Sequence, residues 1–212
     1  MKRIAALFSV LLLSCSLSFA RGIYNGDIQF PLGFGAERVV INENTTSPVK
    51  AALFVADIET WHLFKPLPFM GVGFKAGLDA GIGLSEYMEQ KGGLAGDVFL
   101  NFGPAVGFYL GKVVRLAASF GFSTGLNIET LSYSKDASSY DMVMGFLHGF
   151  DVEIQAKFVP DFFINPVIGW RLTRGYADSY YSATNKSTTG TKVSQGYGFT
   201  QNVFYIALSF SW

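Results

Sequence analysis

Apolar and small or polar residues alternate along most of this chain. The clearest case runs from Met70 to Ser85. Its even positions are Met70, Val72, Phe74, Ala76, Leu78, Ala80, Ile82 and Leu84; its odd positions are Gly71, Gly73, Lys75, Gly77, Asp79, Gly81, Gly83 and Ser85. Successive side chains of a strand point to opposite faces, so a sustained period of two predicts a β-strand with one apolar face. At this length it far exceeds the usual strand of about 5–6 residues.

The same alternation recurs and predicts eight strands in all. Strand 1, about Gly22–Phe34, sets Ile28, Phe30, Leu32 and Phe34 against Asn25, Asp27 and Gln29. Strand 2, about Lys50–Leu63, sets Phe54, Ala56 and Ile58 against Asp57 and Glu59, with Leu53, Val55 and Trp61 sharing the polar side. Strand 3 is Met70–Ser85. Strands 4 to 7 are predicted at about Leu94–Leu110, Val113–Glu129, Asp141–Phe158 and Phe162–Arg174, and strand 8 at Gly196–Trp212. No segment after Ala20 shows a convincing helical period.

The connections alternate in length. Gly35–Val49, Glu86–Gly93, Thr130–Tyr140 and Gly175–Gln195 are long; Phe64–Pro68, Gly111-Lys112 and Val159–Asp161 are short and carry Pro, Gly and Asp turn chemistry. Long loops at one end and tight turns at the other predict an all-β fold: an eight-stranded antiparallel up-and-down transmembrane β-barrel with both termini periplasmic. Ten strands would result if Arg38–Ile41 formed part of an extra hairpin. A soluble barrel would turn its apolar face inward. Here the alternate face of strand 3 holds five glycines, which weaken a strand and gain nothing against water. In a narrow lumen small residues have a steric purpose, so the apolar face meets lipid. Rings gather where the membrane rims would fall: Phe64, Phe108, Tyr109, Phe158, Phe162 and Trp212 at the short-turn end, Phe34, Phe122, Phe150 and Trp170 at the other.

The first twenty residues change the picture only by setting the destination. Lys2 and Arg3, the apolar run Ile4–Leu13 and Ser18-Phe19-Ala20 read as a cleaved export signal over 1–20, leaving 21–212 as the barrel domain. Leu12-Leu13-Ser14-Cys15 loosely resembles a lipidation box. Cleavage after Ala20 would discard Cys15, the only cysteine, and leave no thiol chemistry. Without Lys2 and Arg3 the chain has 14 basic and 16 acidic residues, so no basic excess for nucleic acid.

On these strands the chain resembles the small bacterial outer-membrane β-barrel proteins, the OmpA/OmpX/OmpW-like and opacity-protein-like group. The resemblance spans essentially all of Arg21–Trp212. Its most specific element is the C-terminus: Phe204, Ile206, Leu208, Phe210 and the final Trp212 look like the signal read by the barrel-assembly machinery, although phenylalanine is the commoner last residue there. The resemblance implies a bacterial outer membrane and its lipid as surroundings. It names no ligand.

The face opposite the lipid carries the candidate chemistry: Asp27, Asp57, Glu59, Lys75, Asp79, Asp97, Arg115, Asp151, Glu153, Lys157 and Arg171. Buried charges need partners, so this set predicts an internal salt-bridge network; a selectivity constriction in a narrow pore is the other reading. Catalysis finds little support. Of the two histidines, His148 faces outward between Phe146 and Phe150, and His62 sits beside a short turn. Neither supplies the His, Ser and acid set of a lipid-modifying barrel or the acid–acid and acid–His pairs of an omptin-like protease. Gly71/Gly73 and Gly81/Gly83 open no helix and are no phosphate loop. Asn44-Thr45-Thr46 and Asn185-Lys186-Ser187 read as polar loop sequence. No catalytic, cofactor-binding or metal-binding set emerges.

The loops hold the remaining signal. Tyr176, Tyr180 and Tyr181 precede Ser182–Lys192, rich in Ser, Thr, Asn and Gly, and Tyr133 and Tyr140 flank the preceding long loop. Tyrosine among small polar residues is a binding-surface composition. The reading is therefore a non-catalytic surface protein acting on an extracellular ligand through its loops, or supporting the envelope. The alternative is a conduit for small or hydrophobic solutes, with Tyr197, Phe199 and Gln201 lining its mouth.

Overall fold

The computed structural model describes residues 24–40, 48–87, 90–132, 140–184, 191–193 and 196–212. The expected leader and Tyr133 lie outside these residues. The wall consists of β1 (Tyr24–Val40), β2 (Val49–Leu67), β3 (Met70–Tyr87), β4 (Gln90–Leu110), β5 (Val114–Ser132), β6 (Tyr140–Phe158), β7 (Ile164–Ala177) and β10 (Tyr197–Ser211); β8 (Tyr180–Thr184) and β9 (Thr191–Val193) form a small hairpin between the last two. Neighbours pair antiparallel around the circuit, β1 closing on β10, so the fold is a closed eight-stranded barrel.

The pairing register fixes the barrel's slant. The outward row Glu86, Lys50, Arg38, Thr200, Arg174, Phe150, Phe122, Phe102 comes back to β3 at Ala76, ten residues below its start. With strands about 4.8 Å apart and a rise of about 3.3 Å per residue, a stagger of ten over eight strands tilts each strand roughly 40° from the axis. An eight-stranded barrel of this slant has a lumen that side chains fill.

The parity reading describes both faces. Even-numbered Phe34, Ile82, Phe102, Phe120, Phe204 and Ile206 are exposed on the outside, whereas Leu53, Val55 and Trp61 of β2 point inward and are buried. Tyr109, expected at the lower rim, is a correction. Its odd position turns it into the barrel, where it is buried, with Lys65 Nζ 4.0 Å over its ring and its hydroxyl 3.5 Å from Asn25 Oδ1.

Several strands run past their predicted ends. The structure carries β1 on through Val40, with Arg38 paired both to Lys50 and to Thr200, so Arg38–Val40 prolongs the wall instead of starting an extra hairpin. The extra hairpin arises later. β7 pairs with β6 only as far as Tyr176 opposite His148, and β8 then takes over against Asp141–Gly145, with β9 added on its far edge. The upper end of β6 would otherwise be an unpaired edge, which explains why a Ser/Thr-rich loop folds back onto it.

At the short-turn end Gly111 takes φ +63° between β4 and β5, a left-handed conformation suited to glycine. Val159 takes φ 50° between β6 and β7, where a β-branched residue is strained.

Candidate functional site

Every member of the predicted charged set faces the lumen and is buried. Partners are chosen across the lumen as well as along the wall. Arg171 on β7 reaches across to β2 and β3, where its Nη1 donates to Asp57 Oδ2 at 3.0 Å, Glu59 Oε1 at 3.1 Å and Asp79 Oδ1 at 2.8 Å. Lys75 Nζ lies 3.3 Å from Glu59 Oε1 and 3.4 Å from Asp151 Oδ2, and also donates to Glu153. Glu153 accepts the Tyr205 hydroxyl, and Asp79 accepts the Asn101 amide. Nearer the short-turn end Arg115 pairs with Asp27 and donates to Asn25 Oδ1 at 2.7 Å. Lys157 donates to the same Asp27 and to Ser211 Oγ, each at 2.5 Å. Arg115 and Arg171, which lie on the strands flanking Asp151 and Glu153, thus bond to carboxylates elsewhere.

Asp57, Glu59 and Asp79 bring oxygens close enough together to hold a cation. The Arg171 guanidinium donates to all three, so the triad's positive charge comes from the chain itself.

A third layer lies toward the long-loop end and differs in kind. Asn127 Nδ2 donates to Glu37 Oε1 at 3.0 Å and to Glu129 Oε1 at 3.4 Å, Gln201 Nε2 donates to Asp97 Oδ2 at 2.9 Å, and the Tyr197 hydroxyl donates to Asn127 Oδ1 at 3.3 Å. These three buried carboxylates have neutral donors and no basic partner among the described residues. Sequence reasoning missed Glu37 and Glu129. Their odd numbers are the available signal: Glu37 lies beyond the predicted end of strand 1 at Phe34, and Glu129 is the last residue of predicted strand 5.

An apolar cluster is interleaved with that layer. Val39, Val49, Phe99, Val143, Leu147, Ala177, Tyr197 and Phe199 form one cluster, with the Phe99 and Phe199 rings 5.0 Å apart. Tyr197, Phe199 and Gln201, expected to line an open mouth, are each only 1% exposed, which corrects that expectation. Glycines make room for the rings. A Cβ on Gly145 would lie 2.2 Å from Tyr197 Cε1, and one on Gly169 would lie 2.2 Å from Tyr205 Cζ.

The loop tyrosines separate. Tyr180 packs edge-on to Tyr197, whereas Tyr176 and Tyr181 are exposed; Tyr140 pairs with Ser132 at the top of β5. At the C-terminus Phe204, Ile206, Leu208 and Trp212 are exposed on the outer face, Phe210 is half-buried beside Phe30 and Phe163, and Trp212 exchanges backbone hydrogen bonds with Gly26. His148 faces outward, opposite Thr124 and Tyr176. His62 also lies on the outer face, stacked on Phe74 and bonded to the Tyr24 hydroxyl.

No protein-family profile and no curated protein matches the chain. Among solved structures it is similar to the outer membrane protease OmpT from Escherichia coli, with TM-score 0.51 and 10% identity over 92% of this chain and 98% of that one. It is also similar to Ail, the attachment invasion locus protein of Yersinia pestis (TM-score 0.42, 12% identity, 87% and 99% covered). A third is the translocator domain of the autotransporter NalP from Neisseria meningitidis (TM-score 0.41, 11% identity, 97% and 95% covered). At these identities the likeness speaks to fold alone. With its closed strand circuit and its apolar outer sheath, the chain has the fold of the outer-membrane β-barrels.

Proposed function

We propose that the protein is a non-catalytic surface barrel that acts through the extracellular end of its wall. The observation that carries this reading is the upper barrel: the lumen there is packed with apolar side chains, and the wall ends in the β6–β8–β9 sheet with Tyr176, Tyr181 and Met142 exposed. Order of this kind at a loop end costs conformational entropy and suits a rigid binding platform. A filled lumen argues against a conduit. Solute passage would require Tyr197, Phe199 and the ionic layers beneath them to leave their contacts. Catalysis is disfavoured by segregation: both histidines lie outside and the buried carboxylates inside, so no acid–His pair forms among the described residues. The exposed apolar C-terminal face, Phe204 to Trp212, suits recognition by the barrel-assembly machinery.

Cells displaying the protein should bind host or other surfaces, and deletion of Ser179–Lys192 should abolish that binding while the barrel keeps its heat-modifiable electrophoretic mobility. Unchanged binding by a folded deletion variant would reject the loop-based reading.

A further inference from the structure

The outer wall carries its own charge pattern, unrelated to the lumen. Between the short turns and the loop end, Arg38, Lys50, Glu86 and Arg174 are the outward-facing charged residues among those whose side chains are described. The three cations lie on one stretch of wall. Lys50 on β2 is directly opposite Arg38 on β1, Arg38 is opposite Thr200 on β10, and Thr200 is opposite Arg174 on β7. Like charges placed opposite each other across strands destabilise a sheet. No carboxylate lies within 4.0 Å of any of the three among the described residues, although Glu86 is opposite Lys50 in register. Further round the rim the upper ends of β3, β4 and β5 present exposed Leu84, Leu94 and Ile128.

Their height is informative. From Ile164 to Arg174, ten residues of β7 tilted roughly 40° climb about 25 Å, the height of the apolar band of such barrels. Arg174 therefore sits at the band's outer edge. Arg38 and Lys50, on strands that the slanted row carries progressively higher, sit just beyond it. A cation at mid-membrane on the lipid face costs about 2–4 kcal/mol but close to nothing at the interface. The cost is low at this level, where lipid headgroups lie.

Below the cations the same four strands continue the pattern. The next outward row is small, Ala52, Ala36 and Asn202 followed by Leu172, and the row below it is aromatic, Phe54, Phe34, Phe204 and Trp170. The aromatic row lies four residues, roughly 13 Å along the strand, below the cations. Around Phe34, Phe54 and Phe204 a cavity of about 310 Å³ opens to the outside, floored by Gly33 and Tyr205 and flanked by Leu32 and Ile206. Phe34 is 75% exposed and Ile206 68%, so the groove faces hydrocarbon.

We propose that Arg38, Lys50 and Arg174, with the apolar groove beneath them, form a site on the outer wall for a phosphorylated, multiply acylated glycolipid of the outer leaflet. Guanidinium and ammonium groups are matched donors for phosphate oxygens. An anion between Arg38 and Lys50 converts their repulsion into shared attraction. The shallow Ala36, Ala52 and Asn202 row leaves room for a sugar backbone, and an acyl chain fits along Phe34 and Phe204. This site is independent of the loop-based function proposed above.

The test uses the folded barrel in detergent micelles, titrated with diphosphoryl lipid A and, separately, with dephosphorylated lipid A and with phosphatidylglycerol, bound lipid being counted by native mass spectrometry. The wild type should prefer diphosphoryl lipid A to both others. The triple variant Arg38→Gln, Lys50→Gln, Arg174→Gln should lose at least tenfold in affinity for it, with unchanged heat-modifiable mobility, while Lys112→Gln at a short turn should bind as the wild type does. Equal binding by wild type and triple variant would overturn the site. Equal binding of phosphatidylglycerol would overturn its assignment to an outer-leaflet glycolipid.

Discussion

The lower and upper halves of the barrel fill the lumen with different chemistry: cations shared among carboxylates below, an apolar cluster beside carboxylates without a cation among the described residues above. In the lower half the outside is apolar and the lumen is ionic: Arg171, Lys75, Arg115 and Lys157 are threaded among carboxylates. Toward the loop end the lumen mixes an apolar cluster around Phe99, Phe199 and Leu147 with the Glu37, Asp97 and Glu129 carboxylates, and the outer wall between β2 and β7 turns cationic. Where the exterior meets lipid, burial outside is free of cost for apolar groups, and a slender lumen with inward-facing glycines admits bonded polar side chains. Toward the loop end apolar surface is buried inside as well, around Phe199 and Leu147, while Leu84, Leu94 and Ile128 stay exposed outside. The two halves should therefore fail differently when probed.

The largest effect belongs to the lower half. Arg171→Met leaves Asp57, Glu59 and Asp79 without their shared cation and should cost about 3–5 kcal/mol of unfolding free energy in detergent. Adding Asp57→Asn and Asp79→Asn should recover most of that loss. No recovery would mean that shape, and not charge, holds the lower lumen. In the upper half Phe199→Ala removes a buried ring and should cost about 3 kcal/mol. Its signature should be local: faster hydrogen exchange in β8, β9 and the upper β6, with the lower strands unchanged. Uniformly faster exchange would show that the halves unfold as one.

A smaller effect distinguishes the steric role of the glycines. Gly169→Val beneath the Tyr205 ring should destabilise by about 1–3 kcal/mol through overpacking, and Gly145→Val beneath Tyr197 by a similar amount. The smallest effects are gains. Glu37→Gln relieves the crowding of three buried carboxylates that have no basic partner among the described residues, and should raise the unfolding midpoint. Val159→Gly should gain about 1 kcal/mol by relieving a left-handed β-branched residue. A loss at Glu37→Gln would show that the hydrogen bonds of the Glu37 carboxyl outweigh the crowding.

Residue parity made the wall legible in the sequence, because a period of two survives whatever the neighbouring strands are. It assigned inside and outside for Lys75, Asp79 and Trp61 alike. It could not say who meets whom. Arg171 finds Asp57, Glu59 and Asp79 across the lumen, and that pairing depends on a stagger of ten set by all eight registers together. Glu37 was hidden for a related reason: the strand was ended at Phe34, where Gly35 and Ala36 interrupt the strong apolar alternation, yet partners on both sides hold the backbone extended to Val40. The β8–β9 hairpin was illegible because Tyr180–Val193 has loop composition, and only the unpaired upper edge of β6 recruits it. Tyr109 was misread by grouping it with its rim neighbours although its odd number turned it inward. The tyrosines of the last loop were visible as a composition. Their division into buried Tyr180 and exposed Tyr176 and Tyr181 needed the ring contact with Tyr197.

The claim on which the rest depends is that the lumen is closed by side chains while the apolar face is the one that touches lipid. Single cysteines introduced in a Cys15→Ser background test it directly. Phe74→Cys and Ile206→Cys in reconstituted barrels should react with a lipophilic maleimide and not with a membrane-impermeant one, and Gln155→Cys and Phe199→Cys should resist both. Rapid labelling of the two interior positions by the water-soluble reagent would reveal an open channel and contradict the account.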